Sequence, residues 1–336
     1  MIVVTVPWLS GFDSSKRDAH VPDTTHLPAV RMHCLARFLI DLPDDFEPVG
    51  DVVLIYGLTK DFREVNVEAV QEPAASRGLE AIVKARQAEL MATYHSQSPT
   101  KSMLVIEKRL DNHTVLLRGF NGPLRVESFK SEVYRRLGDA VVRVTAQSFS
   151  EDQLKAVEAS AMSVVNRTVF VSDPAKAGRG TCLGPLLIDA GQDGEWFTVS
   201  FKSKRMPDVL IEFSSNSLLA ESDGGLLSRR AGKQSLLDKI GLRSDIIRRG
   251  KISIAGRAGE EILEKGKQHG KVMRLLTAEA LLLKPATFTQ PSFAISMTMG
   301  GQLQSGEYVD ASMSEPDAIA TWDAIIKSIR VRPGAI

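Results

Sequence analysis

An eight-residue motif occurs twice in the chain and constrains the fold more than any other feature. Residues 34–41 read CLARFLID and residues 182–189 read CLGPLLID, with five of eight positions identical at an offset of 148 residues (182 − 34). The two cysteines that open the motifs are the only cysteines in the sequence. At average residue frequencies such a match arises by chance roughly once in a thousand. The sequence therefore predicts an internal duplication in which each motif opens one domain.

The length and the charge indicate two folded domains without a strong electric field. The 336 residues exceed the size at which one hydrophobic core stops growing, and 43% hydrophobic with 25% charged residues is ordinary for a globular protein. A net charge of +1 provides no overall attraction for nucleic acid or an anionic membrane. No stretch approaches the roughly 18 apolar residues of a transmembrane segment. The apolar N-terminus lacks a preceding basic segment, so no signal peptide is visible.

The two cysteines have two possible states. They are too few for a disulfide framework or for a structural zinc site, which needs four Cys or His ligands. A single disulfide remains possible, but it would join equivalent positions of two copies and would cross the interface between domains. We therefore predict buried free thiols in preference to a bond.

The hydrophobic pattern predicts the same order of elements in both halves. Residues 1–30 indicate an extended arm, residues 31–173 an N-terminal domain and residues 174–336 a C-terminal domain. Apolar runs and alternation predict strands at residues 34–41, 52–56, 63–70, 103–108, 114–120, 140–146, 168–171, 182–189, 195–201, 209–213, 252–256, 271–276 and 293–299. Helical periodicity predicts helices at residues 78–94, 151–166, 226–240 and 317–328. The predicted fold class is α+β: two tandem related domains, each a mostly antiparallel sheet with helices packed on one face.

No motif for catalysis or cofactor binding occurs at a convincing spacing. The chain lacks a Gly-x-Ser-x-Gly elbow, a phosphate loop ending in Gly-Lys-Ser/Thr and a His-Glu-x-x-His zinc motif. Gly256 and Gly259 are the nearest approach to a dinucleotide loop, but Glu260 and Glu261 follow, where a phosphate would need a helix start free of negative charge. We expect no enzymatic activity, no catalytic residue, no cofactor and no metal.

Some single residues have both a structural and a functional interpretation. His33 could activate Cys34, but neighbouring strand residues point to opposite faces, so we expect an exposed histidine and a buried cysteine. Glu260 and Glu261 could hold a metal ion, but solvated turn carboxylates are far more common. Trp322 could bind a partner, but its place in an isoleucine stripe of the last helix indicates a core residue.

One basic segment suggests a protein partner. Eight cations within 23 residues are accompanied by two acids, and we regard them as candidate partner-binding residues: Arg229, Arg230, Lys233, Lys239, Arg243, Arg248, Arg249 and Lys251. The ordinary interpretation is a solvated helix face and loop. The functional alternative is a patch that steers an acidic protein surface, because charge complementarity mainly raises the association rate.

The opening motif resembles that of a known family. Cys34, Arg37, Asp41 and Pro43 follow the Cys-x-Gly-Arg-x-x-hydrophobic-Asp-x-Pro opening of the immunity proteins that neutralise type VI secretion phospholipase effectors of the fourth lipase group. Ala36 stands where this family usually has glycine. The second half is similar to the family's C-terminal domain, with matching residues in the same order: Cys182, Gly184, Pro207, Leu226, Leu227, Gly256, Gly259, Glu260, Glu261, Pro291, Gly300, Trp322, Asp323, Ser328, Arg330, Arg332 and Pro333.

The resemblance implies a fold, a partner and a location. It implies a non-catalytic two-domain α+β protein that binds a cognate phospholipase effector and blocks its active site, protecting the producing cell, and it implies a periplasmic location. Ten residues would form its structural motif: Cys34, Arg37, Asp41, Cys182, Asp189, Gly259, Glu260, Glu261, Trp322 and Asp323. Two rigid modules joined by a short linker would form a cleft suited to gripping a protein. The alternative function is a non-catalytic module that binds a lipid or another component of the cell envelope.

Overall fold

The computed structural model describes most of the chain from residue 29 onward. The described residues are 29–56, 65–70, 78–189, 194–219, 224–230, 244–281 and 285–336, without the side chains of residues 50 and 51. The predicted arm therefore lies almost wholly outside them. The helices are α1 (Gly78–Ala92), α2 (Leu154–Arg167) and α3 (Glu315–Ser328), together with helical residues 226–230 and a 3-10 turn at Pro174–Lys176. No helix in this part of the chain is both long and apolar enough to cross a membrane.

Twenty strands make up about half of the described structure. The first nine are β1 (Val30–Ala36), β2 (Phe38–Pro43), β3 (Phe46–Tyr56), β4 (Val65–Ala69), β5 (Leu104–Asp111), β6 (Thr114–Phe120), β7 (Phe129–Leu137), β8 (Ala140–Ser148) and β9 (Thr168–Phe170). The others are β10 (Thr181–Leu183), β11 (Leu186–Ile188), β12 (Glu195–Ser203), β13 (Leu210–Asn216), β14 (Ser244–Ile254), β15 (Arg257–Gln268), β16 (Lys271–Ala280), β17 (Ser292–Met299), β18 (Gly301–Gln302), β19 (Tyr308–Val309) and β20 (Arg330–Val331).

A twelve-stranded antiparallel sheet runs through both halves of the chain. Strands β3 and β12 pair at its centre. From this centre outward, the first half has the order β3-β4-β8-β7-β6-β5 and the second half the order β12-β13-β17-β16-β15-β14. The two orders are the same once strands are numbered within each half. The predicted α+β class with a mostly antiparallel sheet is confirmed, and the match between halves extends far beyond the eight-residue motif.

Each copy of the motif forms a hairpin in a second, six-stranded sheet with the order β20-β2-β1-β10-β11-β9. The prediction of one continuous strand over residues 34–41, and again over 182–189, is therefore wrong. In each copy two turn residues lie between the last paired residues of the hairpin, Leu35 with Phe38 and Leu183 with Leu186, and the first turn residue has a positive φ, +53° at Ala36 and +59° at Gly184. This is the pattern of a type II′ turn, which reverses a strand without disturbing the apolar residues on either side.

The closing strands of the two halves are exchanged. Strand β9 follows α2 of the first half but pairs with β11 of the second, and β20 follows α3 of the second half but pairs with β2 of the first. The hairpins meet through β1 and β10, where Leu35 lies opposite Leu183, its equivalent in the other motif. The two copies of the motif are therefore related by a local twofold axis.

The two cysteines lie beside this axis and form a disulfide, with Cα atoms 5.7 Å apart. The prediction of free thiols is wrong, although both side chains are buried as predicted. The error has a topological cause, since antiparallel pairing of β1 with β10 brings equivalent positions of the two copies together. The bond packs against Leu39 and Leu187, which are also equivalent positions.

Helices cover both faces of the large sheet. On one face, α2, α3 and the six-stranded sheet enclose the main core, which includes Leu116 of β6. On the other, α1 packs against Val115 and Leu117 of the same strand. The expectation that the helices of a domain share one face therefore does not hold for the first half, because β6 carries successive apolar residues and is buried on both sides. Both predicted domains contribute strands to both sheets, and the boundary between residues 173 and 174 stays a prediction.

The turn between β14 and β15 allows a test of local strain. Ala255 and Gly256 connect the strands with φ of +51° and +73°, the pattern of a type I′ turn. Because Asn-Gly is the preferred pair for this turn and alanine resists the left-handed region, Ala255→Asn should raise the free energy of unfolding by about 0.5–1 kcal/mol in urea titrations. As a control of opposite sign, Gly256→Ala should lower it by about 1 kcal/mol. Two changes of the same sign would contradict this assignment of the turn.

Candidate partner-binding site

A buried ion pair ties the first hairpin to the central strand of the second half. Arg37, in the turn between β1 and β2, donates hydrogen bonds to both carboxylate oxygens of Glu195 in β12, over 2.6 and 3.2 Å. Its remaining terminal nitrogen donates to the carbonyl oxygen of Ala335 over 2.6 Å. Arg37 is 2% exposed and Glu195 is 5% exposed. This motif arginine therefore joins three distant parts of the chain.

The C-terminal segment adds a second buried arginine beside the first. The guanidinium of Arg332 donates to the carbonyl oxygens of Gly178 and Gly180, and its backbone N–H donates to the carbonyl oxygen of Arg37 over 2.9 Å. Burial and the charge of Arg37 lower the pKa of Arg332. The residues that follow α3 thus hold the linker between the halves in place.

Glu260 and Glu261, two of the residues shared with the family's C-terminal domain, have buried carboxylates. The expectation of solvated turn residues is wrong, because Glu260 and Glu261 lie within β15 and are 8% and 5% exposed. Glu261 accepts a hydrogen bond from Nε1 of Trp322 over 3.1 Å and forms an ion pair with Arg248, which also pairs with Asp323. Trp322 is fully buried in the core, as its place in the isoleucine stripe indicated.

The other motif residues have backbone or packing contacts. Asp41 forms an ion pair with Arg330, and its N–H donates to Ser328 Oγ over 3.0 Å. The exposed Asp189 donates its backbone N–H to the carbonyl oxygen of Arg167 over 2.9 Å. At Gly259, an added Cβ would approach the carbonyl oxygen of Glu279 to 2.7 Å, so only glycine fits there. Glu260 accepts from the N–H of Leu227 over 2.9 Å.

The basic candidates divide into paired and exposed residues. Ion pairs occupy three of them: Arg229 pairs with Glu279, Arg230 with Glu264, and Arg248 with Glu261 and Asp323. Lys233, Lys239 and Arg243 lie outside the described residues. Within the part of the chain that the structure describes, Arg249 and Lys251 are exposed and no carboxylate pairs with them. The partner-binding role of all eight stays a prediction.

Steering by the exposed cations has a direct kinetic test. Arg249→Glu combined with Lys251→Glu should lower the association rate with an acidic partner surface by about tenfold at low salt, with little change in the dissociation rate. The matched control is Lys108→Glu with Lys155→Glu, which changes the net charge equally at exposed positions of the first half. Stopped-flow rates at several salt concentrations give the answer. An association rate equal to that of the control variant would exclude steering.

His33 lies in an apolar cavity between the two sheets, which corrects the expectation of an exposed histidine. The cavity has a volume of about 270 Å³, and its lining includes Met32, Phe170, Phe197 and Phe201. The imidazole packs edge-on against Phe201, with ring centroids 4.8 Å apart. Burial, assisted by the charge of Arg31 and opposed by Asp41, lowers the pKa of His33 from 6.5 to about 4.

The lowered pKa makes stability depend on pH. The unfolded chain takes up a proton on His33 near pH 6.5, whereas the folded chain takes it up only near pH 4. The stability that depends on neutral His33 is therefore fully present above pH 6.5 and is lost as the pH falls towards 4. Allowing for partial exposure, His33 should account for about 2 kcal/mol of this loss. His33→Gln should therefore flatten the profile of unfolding free energy between pH 7 and 4. A variant profile parallel to that of the wild type would contradict the assignment.

Register pairs identify the face of the large sheet that opens to solvent. Residues directly opposite each other on neighbouring strands share a face. In the second half the pairs connect Glu279, Ala294, Ser214, Thr198 and Val53, and in the first half Ile55, Asn66, Thr145, Glu132 and Leu117. The helix α1 packs on this face over Leu117, and helical residues 226–230 pair with Glu279 on the same face. Both helices therefore lie on one side of the sheet, over its two outer parts.

Between these helices, no helix of the described residues covers β4, β3, β12, β13 and β17. We call this surface the central groove. Four interstrand spacings give it a width of about 19 Å, compared with about 10–12 Å for a helix with its side chains. Its floor carries mainly small or polar side chains, among them Thr198, Ser214, Asn216, Ser292 and Ala294. A helix or loop of another protein would fit across it.

Trp196 lies near the start of β12, the middle strand of the central groove. It is 47% exposed and lines a pocket of about 380 Å³ together with Leu219, Asn216, Arg229 and Glu279. Val53 on the neighbouring strand and Leu219 beside it are 40% and 44% exposed. An exposed tryptophan with apolar neighbours and an arginine at its edge has the composition of an interface hot spot.

Trp196 is not among the site residues predicted from the sequence, although its strand carries a signal for it. Strand β12 alternates strictly, with Phe197, Val199 and Phe201 pointing into the core and Trp196, Thr198 and Ser200 pointing outward. A tryptophan at one of the outward-facing positions, which are otherwise polar, does not fit a simple core pattern. Of the basic candidates, Arg229 lies in the same pocket.

Comparison with known proteins identifies a family and a fold that are similar to this chain. Residues 175–334 match the family model described as the Tle cognate immunity protein 4 C-terminal domain. Two solved structures are similar over 91% of this chain and 98% of theirs at 23% identity: the apo immunity protein TplEi of the type VI secretion system of Pseudomonas aeruginosa, with a TM-score of 0.66, and the Tle4–Tli4 complex, with 0.65. TplEi complexed with "L" peptide is similar with a TM-score of 0.62 at 22% identity over 90% and 98% of the chains. No curated protein matches the chain.

The fold is thus that of type VI secretion immunity proteins. Residues 175–334 match the Tle cognate immunity protein 4 family model, and the family resemblance indicated by the sequence motifs is confirmed.

Proposed function

We propose that the chain is an immunity protein that binds a cognate type VI secretion phospholipase effector and blocks its active site, so that the producing cell is protected. The observation that carries this proposal is the family match over residues 175–334, in a chain whose whole fold follows that of immunity proteins. One of those relatives was solved in the Tle4–Tli4 complex. The family membership also implies a binding role without enzymatic activity.

The central groove is the surface that we assign to the effector. It combines a half-exposed tryptophan and exposed aliphatic side chains with polar side chains on the surrounding floor. Protein interfaces typically have the same combination of apolar and polar surface. Its two flanks come from different halves of the chain, α1 from the first and residues 226–230 from the second. A partner held between them would contact both halves at once. If the groove binds the effector close to its active site, the 336-residue chain would exclude substrate from that site.

The location and the domain boundary belong to the same proposal. The Cys34–Cys182 disulfide favours the periplasm, because disulfides persist in oxidising compartments and are rare in the reducing cytosol. We propose that the C-terminal domain begins at residue 174, and the start of the family match at residue 175 supports this boundary.

The proposed function has a stoichiometric test. Purified protein added to the cognate phospholipase should abolish hydrolysis of phospholipid vesicles with an endpoint at one protein per enzyme, and the two should co-elute in gel filtration. The matched control is an unrelated phospholipase, which should keep its activity. Unchanged hydrolysis at saturating excess would refute the proposal.

A further inference from the structure

The disulfide connects the two halves at the centre of the six-stranded sheet. Its sulfur atoms lie beside the local twofold axis, and Cys34 and Cys182 are 3% and 1% exposed. The bond is covered by Val171 and by Ala175 and Ala177 around the linker between the halves. It therefore joins the two hairpins at the point where the exchanged halves meet.

The first hairpin lies directly behind the strands that form the central groove. Phe38 of β2 packs against Phe213 of β13 and Phe293 of β17, with ring centroids 5.8 and 4.6 Å apart. These phenylalanines alternate along their strands with Ser214 and Ser292, whose side chains face the groove. The cross-link therefore acts on the inner side of the same strands whose outer side carries the groove.

The same hairpin also holds the strand of the tryptophan. Arg37 at its turn binds Glu195, the residue immediately before Trp196. Because neighbouring strand residues point to opposite faces, the ion pair anchors the inner side of β12 at the point where Trp196 projects outward. The relative position of hairpin and groove thus depends on contacts that cross between the halves.

We propose that the Cys34–Cys182 disulfide is a redox switch for partner binding. The oxidised chain keeps the two flanks of the central groove at the spacing that the effector requires, and the reduced chain does not. The inference rests on the proposed function for the identity of the partner. A chain still in a reducing compartment would then be a weak inhibitor that becomes a strong one after oxidation.

The chemistry is a balanced exchange. Formation of the Sγ–Sγ bond removes two protons and two electrons from the thiols of Cys34 and Cys182. A thiol–disulfide oxidant accepts them, and its own disulfide becomes a dithiol. A dithiol reductant such as dithiothreitol reverses the step through a mixed disulfide. Because both sulfurs are buried, reduction requires opening of the hairpins, so the reduced form is best prepared by refolding in the reductant.

The first measurement needs no partner. Wild-type protein refolded with dithiothreitol keeps both sulfur atoms in place, so it isolates the cross-link from the packing. Its urea midpoint should fall by about 1 M relative to the oxidised protein, because the bond closes a long loop in the unfolded chain. The variant with both Cys34→Ala and Cys182→Ala should show no effect of the reductant. Equal midpoints, with both thiols shown to be free by alkylation and mass spectrometry, would overturn the proposal.

The second measurement uses the cognate phospholipase under conditions in which circular dichroism shows the reduced protein to be folded. The dissociation constant should rise at least about tenfold on reduction, because the binding-competent arrangement becomes a minority state. Oxidised Leu187→Ala disturbs the same cluster but keeps the bond, and it should bind like the wild type. Equal constants for the oxidised and reduced wild type would refute the switch. A reduced chain that fails to fold would refute it as well, because the bond would then be needed for folding and not for the spacing of the groove. If the oxidised wild type does not bind, the proposed function fails, and the first measurement still reports on the cross-link.

Discussion

Replacement of Trp196 with alanine is expected to raise the dissociation constant of the complex with the cognate phospholipase by at least about 30-fold. This corresponds to about 2 kcal/mol, the lower limit for a hot-spot residue. Trp196 lies on the middle strand of the central groove with 47% of its surface exposed, so a partner in the groove would bury a large aromatic area that the free protein leaves in water. Isothermal titration calorimetry against the purified enzyme measures the change.

A control variant tests whether the loss of any exposed aromatic side chain would have the same effect on binding. Phe149 is 65% exposed, does not line the pocket of Trp196 and is also a large aromatic side chain. Phe149→Ala should change the dissociation constant by less than about threefold. Both variants should have the same free energy of unfolding as the wild type to within about 0.5 kcal/mol, as measured by urea titration. Equal affinities for Trp196→Ala and the wild type would remove the central groove as the effector site.

Replacement of Arg37 with methionine is expected to lower the free energy of unfolding by about 3–5 kcal/mol, because it leaves the buried carboxylate of Glu195 without a counter-charge. Such a loss is a large part of the roughly 5–15 kcal/mol by which folded domains are stable. Urea titrations that follow tryptophan fluorescence report the change. The same variant should also weaken effector binding, since Glu195 precedes Trp196 in β12.

Two further variants test the physical reason. Arg37→Met combined with Glu195→Met removes both charges and should recover most of the lost stability, because the cost arises from one buried charge left alone. Arg330→Met removes the partner of Asp41 in a pair that is 44% and 31% exposed, and should cost less than about 1 kcal/mol. A loss for Arg37→Met no larger than that for Arg330→Met would show that the buried pair contributes little.

Local signals predicted the long helices and many strands correctly. Helix α3 begins after Ser314, whose Oγ accepts a hydrogen bond from the N–H of Asp317, and its isoleucines and Trp322 follow helical spacing into the core. Helix α2 was predicted at residues 151–166 and lies at Leu154–Arg167. These elements depend on caps and periodicity, which are written within one segment of the chain.

Other predictions failed because the deciding contact is distant in sequence. The apolar run at residues 34–41 was compatible with one buried strand, and only the turn residues Gly184 and Pro185 of the second copy indicated a hairpin. Glu260 and Glu261 looked like turn carboxylates, but other elements bind them in the fold. Arg248 forms an ion pair with Glu261, Trp322 donates a hydrogen bond to Glu261, and the backbone N–H of Leu227 donates to Glu260. Strand β15 was not predicted, because the buried carboxylates interrupt its apolar pattern.

The sequence by itself determined the repeat, the α+β class, the family resemblance and, through the alternation of β12, the side of its strand from which Trp196 projects. Only the tertiary structure decided that the closing strands are exchanged, that Cys34 and Cys182 are bonded, and that the face bearing Trp196 lies between two helices and is left open by the described residues. The physical reason is the range of the interactions. Alternation and capping act between neighbours, whereas strand order, cross-links and exposure depend on which distant segments pair.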